Sequence, residues 1–151
     1  VQTCALPILS SLDVSSFDTS SVTSMEGMFY FLPNLTSIDL SNFNTKNVKS
    51  LRLLFYHCEQ LTSVDISNFD TSKVTTMQYL FGFCYNLKTI NLGKMNTSLV
   101  NNMECLFYYC GELESIDISS FDTALVTTMG WMFYECNSLK SLEFPEKFIA
   151  L

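Results

Sequence analysis

The chain has 151 residues, 48% of them hydrophobic and 15% charged, with eight Lys and Arg against fifteen Asp and Glu. That length and apolar content allow a buried core and exclude an unfolded chain or a miniprotein held by disulfides alone. A net charge of −7 offers no positive stripe to a phosphate backbone, and no apolar run nears the roughly eighteen residues of a membrane span, so neither nucleic acid nor membrane insertion is expected.

In chain order, the opening segment VQTCALPI stands apart from everything that follows. It is similar to the translation of a sequencing-library adapter, and residues 1–8 are expected to be a non-biological leader. From Leu9 the chain repeats every 26 residues without insertion: Leu9, Leu35, Leu61, Leu87, Leu113 and Leu139 fall in one register, and Phe29, Phe55, Phe81, Phe107 and Phe133 in another. Met25, Leu51, Met77, Met103 and Met129 form a third. A fixed period of this length announces a solenoid, here a single array over 9–151 with five units and a partial sixth. The tail from Pro145 breaks the template, and the whole reads as an internal fragment of a longer protein.

The unit starting at Leu61 carries two hydrophobic rhythms. Val64 and Ile66 alternate with Ser63, Asp65 and Ser67, which predicts a short strand with one buried face. Farther on, Val74, Met77, Leu80 or Phe81, and Cys84 recur at spacings of three and four, which predicts an amphipathic helix of about three turns. Between them Phe69-Asp70-Thr71-Ser72 has the side-chain oxygens that cap a helix start, and Asp and Asn exchange there from unit to unit, which favours a turn role over one needing charge. The expected fold is therefore α/β, a solenoid of 26-residue strand–helix units with a parallel sheet on one face. A lone unit buries too little to fold, so stability must come from stacking.

The template L-x-x-[ILV]-D-[ILV]-S-x-F-D-T-S-x-V-x-x-M-x-x-[ML]-F-x-x-C, which runs from Leu9 to about Phe144, resembles the repeat of bacterial BspA-type leucine-rich-repeat surface proteins. Leu61-x-x-Val64-x-Ile66 also matches the general leucine-rich-repeat strand, whereas Phe69 stands where familiar repeats place an Asn that bonds the loop backbone; Asp70 or Thr71 is the candidate to replace it. The resemblance implies an exported protein displayed at the cell surface and engaged in adhesion to host or neighbouring-cell proteins.

The outward strand positions stack into polar columns: Ser37, Ser63, Thr89 and Ser115; Asp39, Asp65, Asn91 and Asp117; Ser41, Ser67, Gly93 and Ser119. This acidic, hydroxyl-rich face is the candidate ligand surface, for a basic protein patch, a glycan or bridging Ca²⁺, against the plainer reading of a solvated sheet face. Carboxylates such as Asp39 and Asp65 stand about 5 Å apart in such a stack, a separation that also suits a retaining glycosidase, but every coil brings the same closeness automatically. No catalytic residue, cofactor or metal site is assigned. His57, the only histidine, occupies a column otherwise mainly aromatic, so packing is favoured over a Ser-His-Asp grouping. Cys58, Cys84, Cys110 and Cys136 share a column with Leu32 and read as buried free thiols, with bridging between neighbouring slots as the alternative. Tyr30, Tyr56, Tyr108 and Tyr134, interrupted by Gly82, form either a packed outer wall or an anchoring stripe, with the wall favoured; Trp131 is assigned to packing. The functional expectation is a non-enzymatic recognition module with many linked weak contacts. The alternative is a spacer projecting another domain from the cell surface.

Overall fold

The computed structural model describes residues 8–142 together with Phe144, Pro145 and Phe148; the rest of the proposed leader, Cys4 included, lies outside the described residues, as does most of the chain beyond Leu142. Successive 26-residue coils, 9–34, 35–60, 61–86, 87–112 and 113–138, lie on one another in parallel, with bonds between residues 25 or 26 apart running along the stack. On the strand side, β1 (Ser63–Asp65) pairs in parallel with β2 (Thr89–Asn91) in the register Ser63 to Thr89 and Asp65 to Asn91. A second line of parallel bridges joins Ser24, Ser50, Thr76, Asn102 and Thr128 across the coils.

The expected helix is not there: among the described residues no helix occurs, and segments 26–31, 52–57, 78–83, 104–109 and 130–135, where it was expected, are runs of turns. In coil 61–86 the amides divide their work by parity. Met77, Tyr79, Phe81 and Phe83 donate to the carbonyls of Asn102, Glu104, Leu106 and Tyr108 in the next coil, while Leu80, Gly82 and Cys84 donate three residues back to Met77, Tyr79 and Phe81. Alternation of this kind is possible because Tyr79 and Phe83 take left-handed backbone angles, with φ of 54° and 60°. The same two places are left-handed in neighbouring coils, at Leu53 and His57, Cys105 and Tyr109, and Trp131 and Glu135.

Two physical facts explain why the helix lost. Stacked strands are about 4.8 Å apart, whereas a helix with its side chains is about 10 Å across, so strand–helix units would have to fan out sharply. A helix also spends its amides internally, and the β-branched Val74, Thr75 and Thr76 are indifferent helix formers. Turns closing three residues back still bring every third or fourth side chain inward. Val74, Met77, Leu80, Phe81 and Cys84 are all buried, so the hydrophobic stripe was a true reading of burial attached to the wrong backbone.

The core is correspondingly layered. Leu35, Leu61, Leu87 and Leu113 are fully buried, one above the other. The rings of Phe29, Phe55, Phe81, Phe107 and Phe133 stack in series with centroids 5.3–5.8 Å apart. Polar groups are threaded through it without loss: Thr19, Thr45, Thr71, Thr97 and Thr123 are buried, and among the described residues no buried side-chain nitrogen or oxygen lacks a partner.

Candidate functional site

The strand face is flat and solvated. Ser37, Ser63, Thr89 and Ser115 are exposed, as are Asp39, Asp65, Asn91 and Asp117, and Ser41, Ser67 and Ser119. Each acidic or amide side chain of the middle column closes a local turn: Asp39, Asp65 and Asp117 accept the amide N–H two residues on, from Ser41, Ser67 and Ser119, at 2.9, 2.9 and 2.8 Å. Asn91 does the same for Gly93 at 3.2 Å, and its Nδ2 donates to the second oxygen of Asp65 at 3.0 Å. Gly93 is required there: it has φ of 59°, and a Cβ would lie 2.9 Å from the Ser67 backbone.

These bonds hold the aspartates ionised. The hydroxyl and then the amide of Ser67, followed by the Asn91 side chain, lower the Asp65 pKa. The Ser119 hydroxyl and amide lower that of Asp117, and the Ser41 amide and hydroxyl that of Asp39. The face thus keeps its negative charge in a fixed lattice. Shallow open depressions of about 220, 200 and 160 Å³ lie along it, bounded by Asp39, Ser41, Asp65 and Ser67, by Ser115, Asp117 and Ser119, and by Asp13, Ser15 and Asp39. They are too open to enclose a small molecule, and they suit contact with a broad surface better.

A second row of turns lies at the loop edge, where Asp18, Asn44, Asp70 and Asn96 accept from Ser20, Lys46, Ser72 and Ser98. Beside it, Thr71 clasps the next coil: its hydroxyl donates to the Asn96 carbonyl at 2.9 Å and accepts the Asn96 N–H at 2.8 Å. Thr19 and Thr97 make the same pair of bonds to Asn44 and Asp122. The loop backbone is also held by Asn42 and Asn68, whose Nδ2 groups each reach three carbonyls of the preceding coil. Asp70 and Thr71, the candidates to bond the loop in place of an asparagine at Phe69, both do so, and an asparagine one residue before that place takes a share that the spacing did not point to. The signal was present in the Asn–Phe pairs 42–43 and 68–69, though the column also holds Ser16, Lys94 and Ser120.

The remaining candidates resolve into structure. His57 lies against the Glu59 carboxylate at 3.2 Å and stacks on Phe83 at 4.4 Å with rings 6° from parallel. The thiols of Cys58, Cys84, Cys110 and Cys136 are free, each donating to the carbonyl of the core Phe one coil back, and burial raises all four pKa values. Among the described residues no group of three or more His, Cys, Asp or Glu is arranged to hold a metal ion, and no helix is long and apolar enough to cross a membrane. A ladder that the sequence did not suggest runs beside the aromatic columns: Arg52 bonds Glu26 behind it and Gln78 ahead, and Gln78 bonds Glu104.

The repeat that builds these columns matches the model of one protein family over residues 9–64 and 49–143; the family is described as DUF285, Mycoplasma protein of unknown function. The chain belongs to the DUF285 family. No curated protein matches this DUF285 chain. Among solved structures it is similar to a leucine-rich cell surface protein from Faecalibacterium prausnitzii, with 22% identity and a TM-score of 0.43, covering 77% of this chain and 34% of that one. The chain therefore spans about a third of that protein's length.

Proposed function

We propose that this chain is a recognition and adhesion module displayed at a bacterial cell surface, which binds host or neighbouring-cell proteins through its strand face. The likeness of its unit to BspA-type surface repeats supports the location. One observation supports the mode of action: the same turn-closed carboxylate or amide is presented in successive coils at Asp39, Asp65, Asn91 and Asp117, with a serine hydroxyl on either side of each aspartate. Equivalent weak contacts in a row gain strength through effective concentration, without a deep pocket. The preferred ligand is a protein with a basic patch; a glycan is the other class this face could take. No catalytic step belongs to this reading.

The test is surface plasmon resonance of the immobilised array against purified extracellular matrix proteins. Asp65→Asn/Asp117→Asn keeps the turns, since Asn91 already forms one, and removes two charges. Binding that drops several-fold in this variant supports the reading. Capture unchanged by it returns the face to solvent and favours the spacer.

A further inference from the structure

Charge is unevenly shared between two faces of the coil. The strand segments 11–15, 37–41, 63–67, 89–93 and 115–119 carry four aspartates and no cation. Segments 20–26, 46–52, 72–78, 98–104 and 124–130, which hold the second line of parallel bridges, carry four of the chain's eight cations and two acids. Both acids are engaged within that face: Glu26 pairs with Arg52, and Glu104 accepts from Gln78. The other three cations, Lys46, Lys49 and Lys73, are exposed, and none of them makes a salt bridge with a described residue. They lie in adjacent coils. Lys73 stands one coil on from Asn47 and donates to its Oδ1 at 3.0 Å, which sets its ammonium beside the segment that bears Lys46 and Lys49.

The same coils build both faces, so both repeat at the sheet spacing of about 4.8 Å. Their charged stretches also fall at the same height in the stack. On the strand face Asp13, Asp39 and Asp65 occupy three successive coils and are broken off at Asn91. On the bridged face the lysines occupy coils 35–60 and 61–86, and the Lys73 column then continues as the exposed Leu99 and Leu125. The turn bonds from Ser41 and Ser67 fix the Asp39 and Asp65 carboxylates and keep them ionised. A second copy laid alongside with its axis parallel therefore brings Asp39 and Asp65 level with Lys49 and Lys73.

We propose that the face bearing Lys46, Lys49 and Lys73 docks the strand face of a second copy of this chain, pairing these lysines with Asp39 and Asp65. The net charge of −7 repels two copies at a distance, but at physiological salt that repulsion is screened beyond about 8 Å, and the groups in contact decide. One exposed ion pair is worth little, so the contact depends on several made at once by two faces of the same repeat. It joins unlike surfaces, so each added copy leaves one of either kind open and association continues past the dimer. The inference needs only the exposed aspartates and does not rest on the adhesion reading.

Sedimentation velocity on the whole chain at about 0.15 M salt, over a concentration series, reads the association. The weight-average mass of the parent is expected to rise beyond about twofold that of the monomer at the top of the series. Lys46→Gln/Lys49→Gln/Lys73→Gln and Asp39→Asn/Asp65→Asn should each stay monomeric, with circular dichroism confirming that both are folded. A mixture of the two variants offers one intact lysine face to one intact aspartate face, so it should form a dimer and stop there. A parent that is monomeric at every concentration overturns the inference, as does association that the lysine variant leaves unchanged, or a mixture no more associated than its parts. A monomeric parent that binds an acidic peptide through these lysines also overturns it and gives the face to a different protein. The lysine variant keeps the whole strand face, so its capture of a matrix protein follows the adhesion reading alone, and failure of the one is distinguished from failure of the other.

Discussion

The ring of Tyr79 lies over Gly82, filling the one gap in the column of Tyr30, Tyr56, Tyr108 and Tyr134. A Cβ on Gly82 would come within 2.8 Å of the Tyr79 ring and 3.1 Å of Tyr56, and Tyr79 meets Tyr56 at 5.4 Å, edge-on at 88°. The missing tyrosine and the extra tyrosine are therefore one arrangement. Gly82→Tyr, which restores the column on paper, is expected to cost about 1–3 kcal/mol through overpacking. Adding Tyr79→Leu should recover much of that loss, and a double-mutant cycle by urea unfolding reads the coupling directly.

The threonine clasp gives a second test. Thr71→Val keeps the shape of the buried side chain and removes both bonds to Asn96, leaving an amide and a carbonyl of the next coil without their partner. A loss of about 1–3 kcal/mol in denaturant unfolding is expected, with Thr71→Ser close to the parent. A Thr71→Val protein as stable as the parent would show that water replaces the clasp.

The coil length, the inward Leu and Phe columns and the exposed strand face followed from spacing alone, because stacking forces equivalent residues into equivalent places. The helix was misread since turns closing three residues back imitate helical spacing, and nothing in Met77 to Cys84 announces that alternate amides are to be shared with the next coil. Left-handed angles at Tyr79 and Phe83 were invisible for the same reason: those places usually signal themselves by Gly or Asn, and here only Gly27 does so. Of the candidate surface, the exposure of the polar columns was legible. The bond from Asn91 to Asp65 was not, because it depends on which side chain stands one coil away.

Acid should loosen the stack. The serine bonds depress the Asp65 and Asp117 pKa values in the folded chain relative to the unfolded one, where an aspartate titrates near about 3.9. The unfolded chain then binds these protons more readily, so the stabilisation is complete above that value and fades as pH falls through the lower, folded pKa values. Thermal melts between pH 6 and pH 2.5 should show the parent losing stability over the lower part of that range. Asp65→Asn/Asp117→Asn should show a shallower decline, and parallel curves would remove these two residues from the account.

Thiol labelling should order the cysteine column. Burial pushes the Cys58 thiol to about 12 and the half-buried Cys136 to about 11, and raises Cys84 and Cys110 well above the ordinary range. At pH 8, Cys136 is expected to react first in the native protein, with Cys58, Cys84 and Cys110 protected until denaturant is added. Peptide mapping after brief alkylation reads the order, and early modification of Cys84 would contradict the packing described above.

The bonds that join one coil to the next run along the stack, and each coil contributes only a single sheet spacing of about 4.8 Å to the height of the array. A coil drawn off the end by tension would release 26 residues, on the order of 90 Å of slack when taut. An array tethered at one end and gripped at the other would therefore lengthen in discrete steps under load, giving way rung by rung while the coils still wound retain their shape.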